Sequence, residues 1–169
     1  MGLIYVITHG RMRAMPRELV PKDGCAVNPC VERRAPMKIA QRPEPEQIQE
    51  LLKDPAETPV VMVNLLSFKA RAEDGNEGMT GEESYMRYGQ NMRKFVESKG
   101  GRFIWSGRVD SMVVGESDAD FQVVALVEYP SRQAFLEIAS SAHAAEIGKD
   151  RERGLAGQWL IATTENVRF

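Results

Sequence analysis

VVMVNLLSF, residues 60–68, is an apolar run rich in β-branched side chains, with one amide, Asn64, in its middle. Lys69 and a charged, glycine-containing loop follow at once. Such a run bounded by turn chemistry predicts a core strand. A second run of the same character, FQVVALVEYPS, spans residues 121–131. Each leads into a segment with apolar residues at helical spacing, and that repeated order predicts a small α+β domain.

Working outward, Thr80-Gly81-Glu82-Glu83 predicts a capping box, with Thr80 as N-cap and Glu83 three residues on. Tyr85, Tyr88, Met92, Phe95 and Val96 form the stripe of the helix it opens, and Gly100-Gly101 supply its stop. Arg102 to Gly115 is expected to be one long strand, bent or bulged at Gly107, paired as a hairpin with Phe121 to Tyr129. Ser131 is expected to cap a second helix, with Phe135, Ile138 and Ala139 inward and a break before His143 to Arg151. Trp159 to Thr163 is the last expected strand. Ahead of these, Pro43 and Pro45 open a short one-sided helix carrying Ile48, Leu51 and Leu52, ended by Asp54-Pro55. The core order is β-α-β-β-α-β, the split unit of a ferredoxin-like, four-stranded antiparallel sheet.

Residues 1–36 differ from the rest. Pro16, Pro21, Pro29 and Pro36, a local arginine excess and no periodicity predict an irregular or mobile extension, with Gly2 to Ile7 as a possible short strand. Residues 37–169 are expected to form the single folded domain.

The 169 residues carry a net charge of -2 with both signs mixed along the chain, which argues against charge-driven contact with nucleic acid or a membrane surface. Gly2 to Ile7 is too short to span a bilayer, and no secretory pattern surrounds it, so a cytoplasmic setting is expected. Cys25 and Cys30 have wider spacing than a CxxC motif, and free thiols are expected there. Phosphate-binding loops, dinucleotide fingerprints, nucleophile elbows and paired metal-spaced histidines do not occur, so neither a metal nor a cofactor is called for.

The runs PVVMVNLLSF, GGRFIWSGRVDSMVVG, VALVEYPSRQAFLEIA and WLIATT, with the YxxY helix, together resemble the domain of unknown function 1330 family over about residues 43–165. That resemblance implies membership of the dimeric α/β-barrel superfamily, in which two ferredoxin-like protomers pack sheet against sheet. It implies relationship to cofactor-free and haem-degrading monooxygenases, dye-decolourising peroxidases and muconolactone isomerases, without assigning a reaction. The chain departs from the family at Ser141-Ala142-His143-Ala144, where an Asp-Pro-x-Tyr turn is usual; Arg151 matches the arginine that follows.

Candidate chemistry follows from strand alternation. Asn64 is a polar group in an apolar strand and needs a partner, either backbone or ligand. Tyr85, Tyr88, Trp105 and Tyr129 are expected either to line a pocket between helices and sheet or to fill the core. Arg132 and Arg151 suit a substrate carboxylate. Glu128 is a candidate base or an interface residue. His143, the one histidine of the domain, is a candidate titrating group or haem ligand, or a solvated residue. Lys149 to Arg153 (KDRER) is expected to be a solvated helical face. Val124 and Leu126 point away from the helices and are expected to be covered by a second copy. Three functions remain: binding or cofactor-free turnover of a small aromatic or carbonyl compound; a haem-dependent oxygenase; or a non-catalytic dimer.

Overall fold

The computed structural model describes residues 38–53, 57–73 and 78–165. The expected N-terminal extension, its alternative strand and both cysteines lie outside these residues. The elements run α1 (Pro45–Leu51), β1 (Val60–Phe68), α2 (Gly81–Ser98), β2 (Arg102–Arg108), β3 (Val123–Tyr129), α3 (Arg132–Ala139), α4 (Ala142–Gly154) and β4 (Leu155–Thr163). The strands form one four-stranded antiparallel sheet in the order β2-β3-β1-β4. That is the ferredoxin-like arrangement expected from the element order.

Local chemistry explains the helices. The Thr80 hydroxyl accepts from the Glu83 N–H, and the Glu83 carboxylate accepts from the Thr80 N–H at 2.7 Å, closing the expected capping box on α2. Gly100 takes φ 83° just beyond α2, a left-handed conformation that glycine adopts without strain. Ser131 and Ser141 each cap a helix, accepting from Ala134 N–H and Ala144 N–H. The second helical region is thereby split into α3 and α4. Ile138 is buried as expected, whereas Ala139 is exposed at the end of α3. In α1 no residue is fully buried, and Leu52 is an exposed cap rather than part of an inward stripe.

Expectations about β2 and β3 need correction, and β3 begins at Val123 rather than Phe121. The strand from Arg102 ends at Arg108, not Gly115; residues beyond it form a loop in which Met112, Val113 and Val114 are exposed. The irregularity lies between Phe103 and Trp105 rather than at Gly107. Phe103 pairs with Val127 and Trp105 pairs with Leu126, so Ile104 is the extra residue. One inserted residue moves every later side chain to the opposite face. The last strand also begins earlier than expected, at Leu155.

The helices cover one face of the sheet. Val60, Met62, Met92, Val96, Val127, Tyr129 and Ile138 form the main buried cluster there, and Leu66, Phe68, Tyr85, Val123 and Leu155 form a second. Fully burying a Val or Leu side chain contributes roughly 1.5–3 kcal/mol. The other face carries Val61, Val63, Leu65, Val124 and Leu126, all partly exposed, with Trp105 at 55% and Ile161 at 46% exposure.

One contact sets the packing of the helices. Gly81 at the start of α2 and Gly154 at the end of α4 meet backbone to backbone. A Cβ on Gly81 would stand 2.5 Å from the Gly154 carbonyl oxygen, and one on Gly154 would stand 2.9 Å from the Tyr85 nitrogen. Lys69 lies in the same knot: its N–H donates to the Gly154 carbonyl at 2.9 Å, and its carbonyl accepts from the Gly81 N–H at 3.1 Å. The Ser84 hydroxyl also donates to the Asp150 carbonyl at 2.9 Å. Gly154→Ala is expected to cost about 1–3 kcal/mol or more by overpacking, lowering the melting temperature by roughly 2–4 °C per kcal/mol. Gly148→Ala, on the same helix with nothing within 4 Å of the added Cβ, should melt at or above wild type. Circular-dichroism melts compare them; equal melting temperatures for Gly154→Ala and wild type would refute the close crossing.

Candidate functional site

The Gly81–Gly154 crossing brings the second turn of α2 beside the last turn of α4. Tyr85 and Tyr88 therefore face Arg151. Below them lies a cavity of about 1050 Å³ between the helices and the sheet. Its floor is the helix-side row of the strands: Met62, Asn64 and Leu66 of β1, Val123, Ala125, Val127 and Tyr129 of β3, and Phe103 and Ser106 of β2. Exposed residues Arg42, Met86, Lys149 and Glu152 also line it, so it opens to solvent.

The polar groups around this space are distinctive. Tyr85 and Tyr88 meet edge-on with centroids 5.3 Å apart, and Tyr129 packs on Phe135 at 5.1 Å. Their rings have partners, but their hydroxyls make no hydrogen bond to any described residue. The Asn64 amide nitrogen donates to the Met62 carbonyl at 3.1 Å and the Ala125 carbonyl at 3.3 Å. That leaves its side-chain oxygen without a donor among the described residues. Asn64 thus has the backbone bonds that would explain it structurally and also lines the cavity. Arg151 donates to the Gln41 carbonyl at 2.5 Å, and Gln41 Nε2 donates to the Leu155 carbonyl at 2.5 Å, tying the segment before α1 across the end of α4. Gln41 and Gln158 join the lining without having stood out in the sequence, because a single glutamine in a polar segment or strand carries no pattern.

Burial pushes the phenols of Tyr85, Tyr88 and Tyr129 up from their ordinary pKa. For Tyr85 the neighbouring Tyr88 adds to this and Arg151 opposes it, and for Tyr129 the neighbour is again Tyr88. The three hydroxyls therefore sit close enough to sense one another and stay neutral donors across the physiological range.

The other candidate residues lie elsewhere. Trp105, expected either to line the tyrosine pocket or to fill the core, does neither: the Ile104 bulge turns it to the open face. There its indole lies over Gly107, where an added Cβ would stand 2.6 Å from the ring. Arg132 is buried at the start of α3, donating to Thr58 Oγ1 at 3.4 Å and Thr164 Oγ1 at 2.9 Å, and does not line this cavity. His143 is exposed on α4, edge-on to Phe95 at 4.6 Å, and also lies outside it. A haem in the cavity would find no histidine ligand among the described residues. Glu128 is on the open face, paired with Arg102 at 3.2 Å. The KDRER helical face is solvated only in part, since Arg151 turns inward. Among the described residues no group of His, Cys, Asp and Glu could hold a metal ion, and no helix is long and apolar enough to cross a membrane.

The raised tyrosine pKa values predict a pH dependence. Below the ordinary phenol value, about 10, the phenols are neutral in folded and unfolded chains alike and their contribution to stability is full. Above it the unfolded chain loses protons first, so stability falls as pH rises towards the folded-state values. The denaturation midpoint should be flat between about pH 7 and 9 and decline above about 10, less steeply in Tyr85→Phe. Ultraviolet titration of the phenolates checks the cause; all four tyrosines ionising together at the ordinary value would refute it.

Two of the solved structures agree with this fold. Comparison with curated proteins finds no match. Among solved structures, the chain is similar to the RPA0582 protein of unknown function from Rhodopseudomonas palustris, with 28% identity and a TM-score of 0.68 over 75% of this chain and 97% of that one. The methylated RPA0582 protein gives 28% identity and a TM-score of 0.69 over 78% and 98%. A dabb family protein with a ferredoxin-like fold from Mesorhizobium loti gives 11% identity and a TM-score of 0.44 over 64% and 98%. The family described as domain of unknown function 1330 matches residues 75–164, so its span starts after β1 rather than near residue 43. That match takes in more than half of the 169 residues. The chain is a member of the domain of unknown function 1330 family.

Proposed function

We propose that this chain binds a small aromatic or carbonyl compound in the cavity between α2, α4 and the sheet, and either carries it or turns it over without a cofactor. One observation carries this reading. Three neutral phenols and the Asn64 carbonyl oxygen line one cavity, and none of them has a hydrogen-bond partner among the described residues. These atoms reach the open space of the cavity rather than being sealed in the core, and polar groups facing an apolar-walled space are normal in a ligand site. A cytoplasmic setting, in which Cys25 and Cys30 would stay reduced, belongs to the same proposal.

A thermal-shift screen of small aromatic acids, amides, ketones and phenols tests it. At least one class should raise the melting temperature of the wild type. Asn64→Ala should weaken that ligand by about 1–3 kcal/mol through a lost hydrogen bond, measured by calorimetry. No shift from any class would leave a non-catalytic dimer as the better reading.

We also propose that the open sheet face is covered by a second copy of this chain. It is supported by the apolar row Val61, Val63, Leu65, Val124 and Leu126, flanked by Trp105 and Ile161. The same face carries both Arg102 and Glu128, so a two-fold copy can exchange this ion pair between subunits. A stable interface would bury more than about 1,000 Å² in total. Light scattering at micromolar concentration should give twice the chain mass, and Leu126→Glu should give a folded monomer. A monomeric wild type would refute it. Asn64→Ala, on the opposite face, should leave the dimer unchanged.

A further inference from the structure

We infer that the occupant of the cavity is an organic acid whose carboxylate lies against Arg151 and the phenols of Tyr85 and Tyr88. The inference rests on the ligand-binding reading above and adds the chemical class. Its basis is a charge imbalance. The charged side chains lining the cavity are Arg42, Arg93, Lys149, Arg151 and Glu152, four cations to one carboxylate, in a chain whose net charge is -2. Three of the cations already have partners: Arg42 pairs with Glu152, Arg93 with Glu97 and Lys149 with Glu146. Arg151 has no carboxylate partner among the described residues, only the Gln41 carbonyl. It is partly buried, where screening by water is weaker than at the surface.

Arg151 also stands within electrostatic reach of Tyr85 and Tyr88. Neutral phenols can donate, and a guanidinium donates in a planar fork, so the three together can offer donors to both oxygens of one anion. A carboxylate accepts at two oxygens and matches this set. A carboxamide supplies one acceptor oxygen and no charge, so it leaves the Arg151 guanidinium without a counter-charge. The apolar body of the acid would lie over Met62, Val127 and Phe135. The Asn64 oxygen, on the floor, would accept from a hydroxyl or amine on that body.

The experiment compares matched pairs, 2-naphthoate with 2-naphthamide and benzoate with benzamide, by calorimetry on the full chain. In the wild type the acids are expected to bind at least tenfold more tightly than the amides. Arg151→Gln should reduce acid binding to the amide level and leave amide binding unchanged, while Arg151→Lys should restore part of the preference. Tyr88→Phe should weaken acids several-fold and amides less. His143→Ala, outside the cavity, should change neither. Amides binding as tightly as acids in the wild type would overturn the inference and leave the ligand-binding reading standing. The same follows if a folded Arg151→Gln keeps the wild-type ratio. Failure of acids and amides alike to bind would overturn the inference. If in addition no ketone or phenol binds, the ligand-binding reading falls with it.

Discussion

Backbone touches backbone where Gly81 meets Gly154, and much of the molecule is arranged around that contact. No side chain fits between the two glycines. Lys69 bonds both residues, so the end of β1, the start of α2 and the junction of α4 with β4 are held in one knot. Leu155, the first residue of β4, is fully buried directly beside it. From this point α2 and α4 run as a pair over the sheet. Tyr85 is four residues into α2 and Arg151 is three residues before the end of α4. Helical geometry then places the two residues on adjoining turns of the paired helices, within electrostatic reach of one another. The polar side of the cavity is thus a consequence of helix packing rather than of a loop.

A second constraint sorts the two faces of the sheet. The extra residue at Ile104 places Phe103 on the helix side and Trp105 on the open side. It also brings Arg108 back to the helix side, where it pairs with Glu82 of α2 at 2.6 Å. Without the bulge, Trp105 would lie opposite Ala125, beside Asn64, and would fill the space that the cavity occupies. A bulge in an outer strand is cheap, because only one ladder is disturbed. Its effect reaches both the cavity and the proposed contact with a second copy.

The strength of the tyrosine cluster comes from the same geometry. Phenols held between a sheet and two helices are desolvated, which keeps them protonated and makes them hydrogen-bond donors. Asn64 complements them. Its amide nitrogen is taken up by the backbone of β1 and β3, which orients its oxygen and leaves that oxygen as the acceptor of the site. A cavity with a guanidinium and phenols at one end and an amide oxygen on its floor can orient an asymmetric molecule.

What the sequence by itself determined is the order of elements, both strong helix caps and the ferredoxin-like sheet. These follow from local rules: alternation in VVMVNLLSF and VALVEY, the Thr80–Glu83 box, and the serine at 131. It also marked Asn64, Tyr85, Tyr88, Tyr129 and Arg151, since polar or amphipathic groups on apolar stripes stand out locally. Which of the candidates meet was decided only in three dimensions. Trp105 left the group through a one-residue register shift that no local pattern announces. Arg132 and His143 left it because a helix face is defined by what packs on it. Arg151 turned inward from a run of charges that looks fully solvated, because Gly154, three residues on, lets α4 approach α2 more closely than any other residue would allow. Strand and helix identity are encoded over a few neighbouring residues; cavities form between elements far apart in the chain, and only the packed structure brings those together.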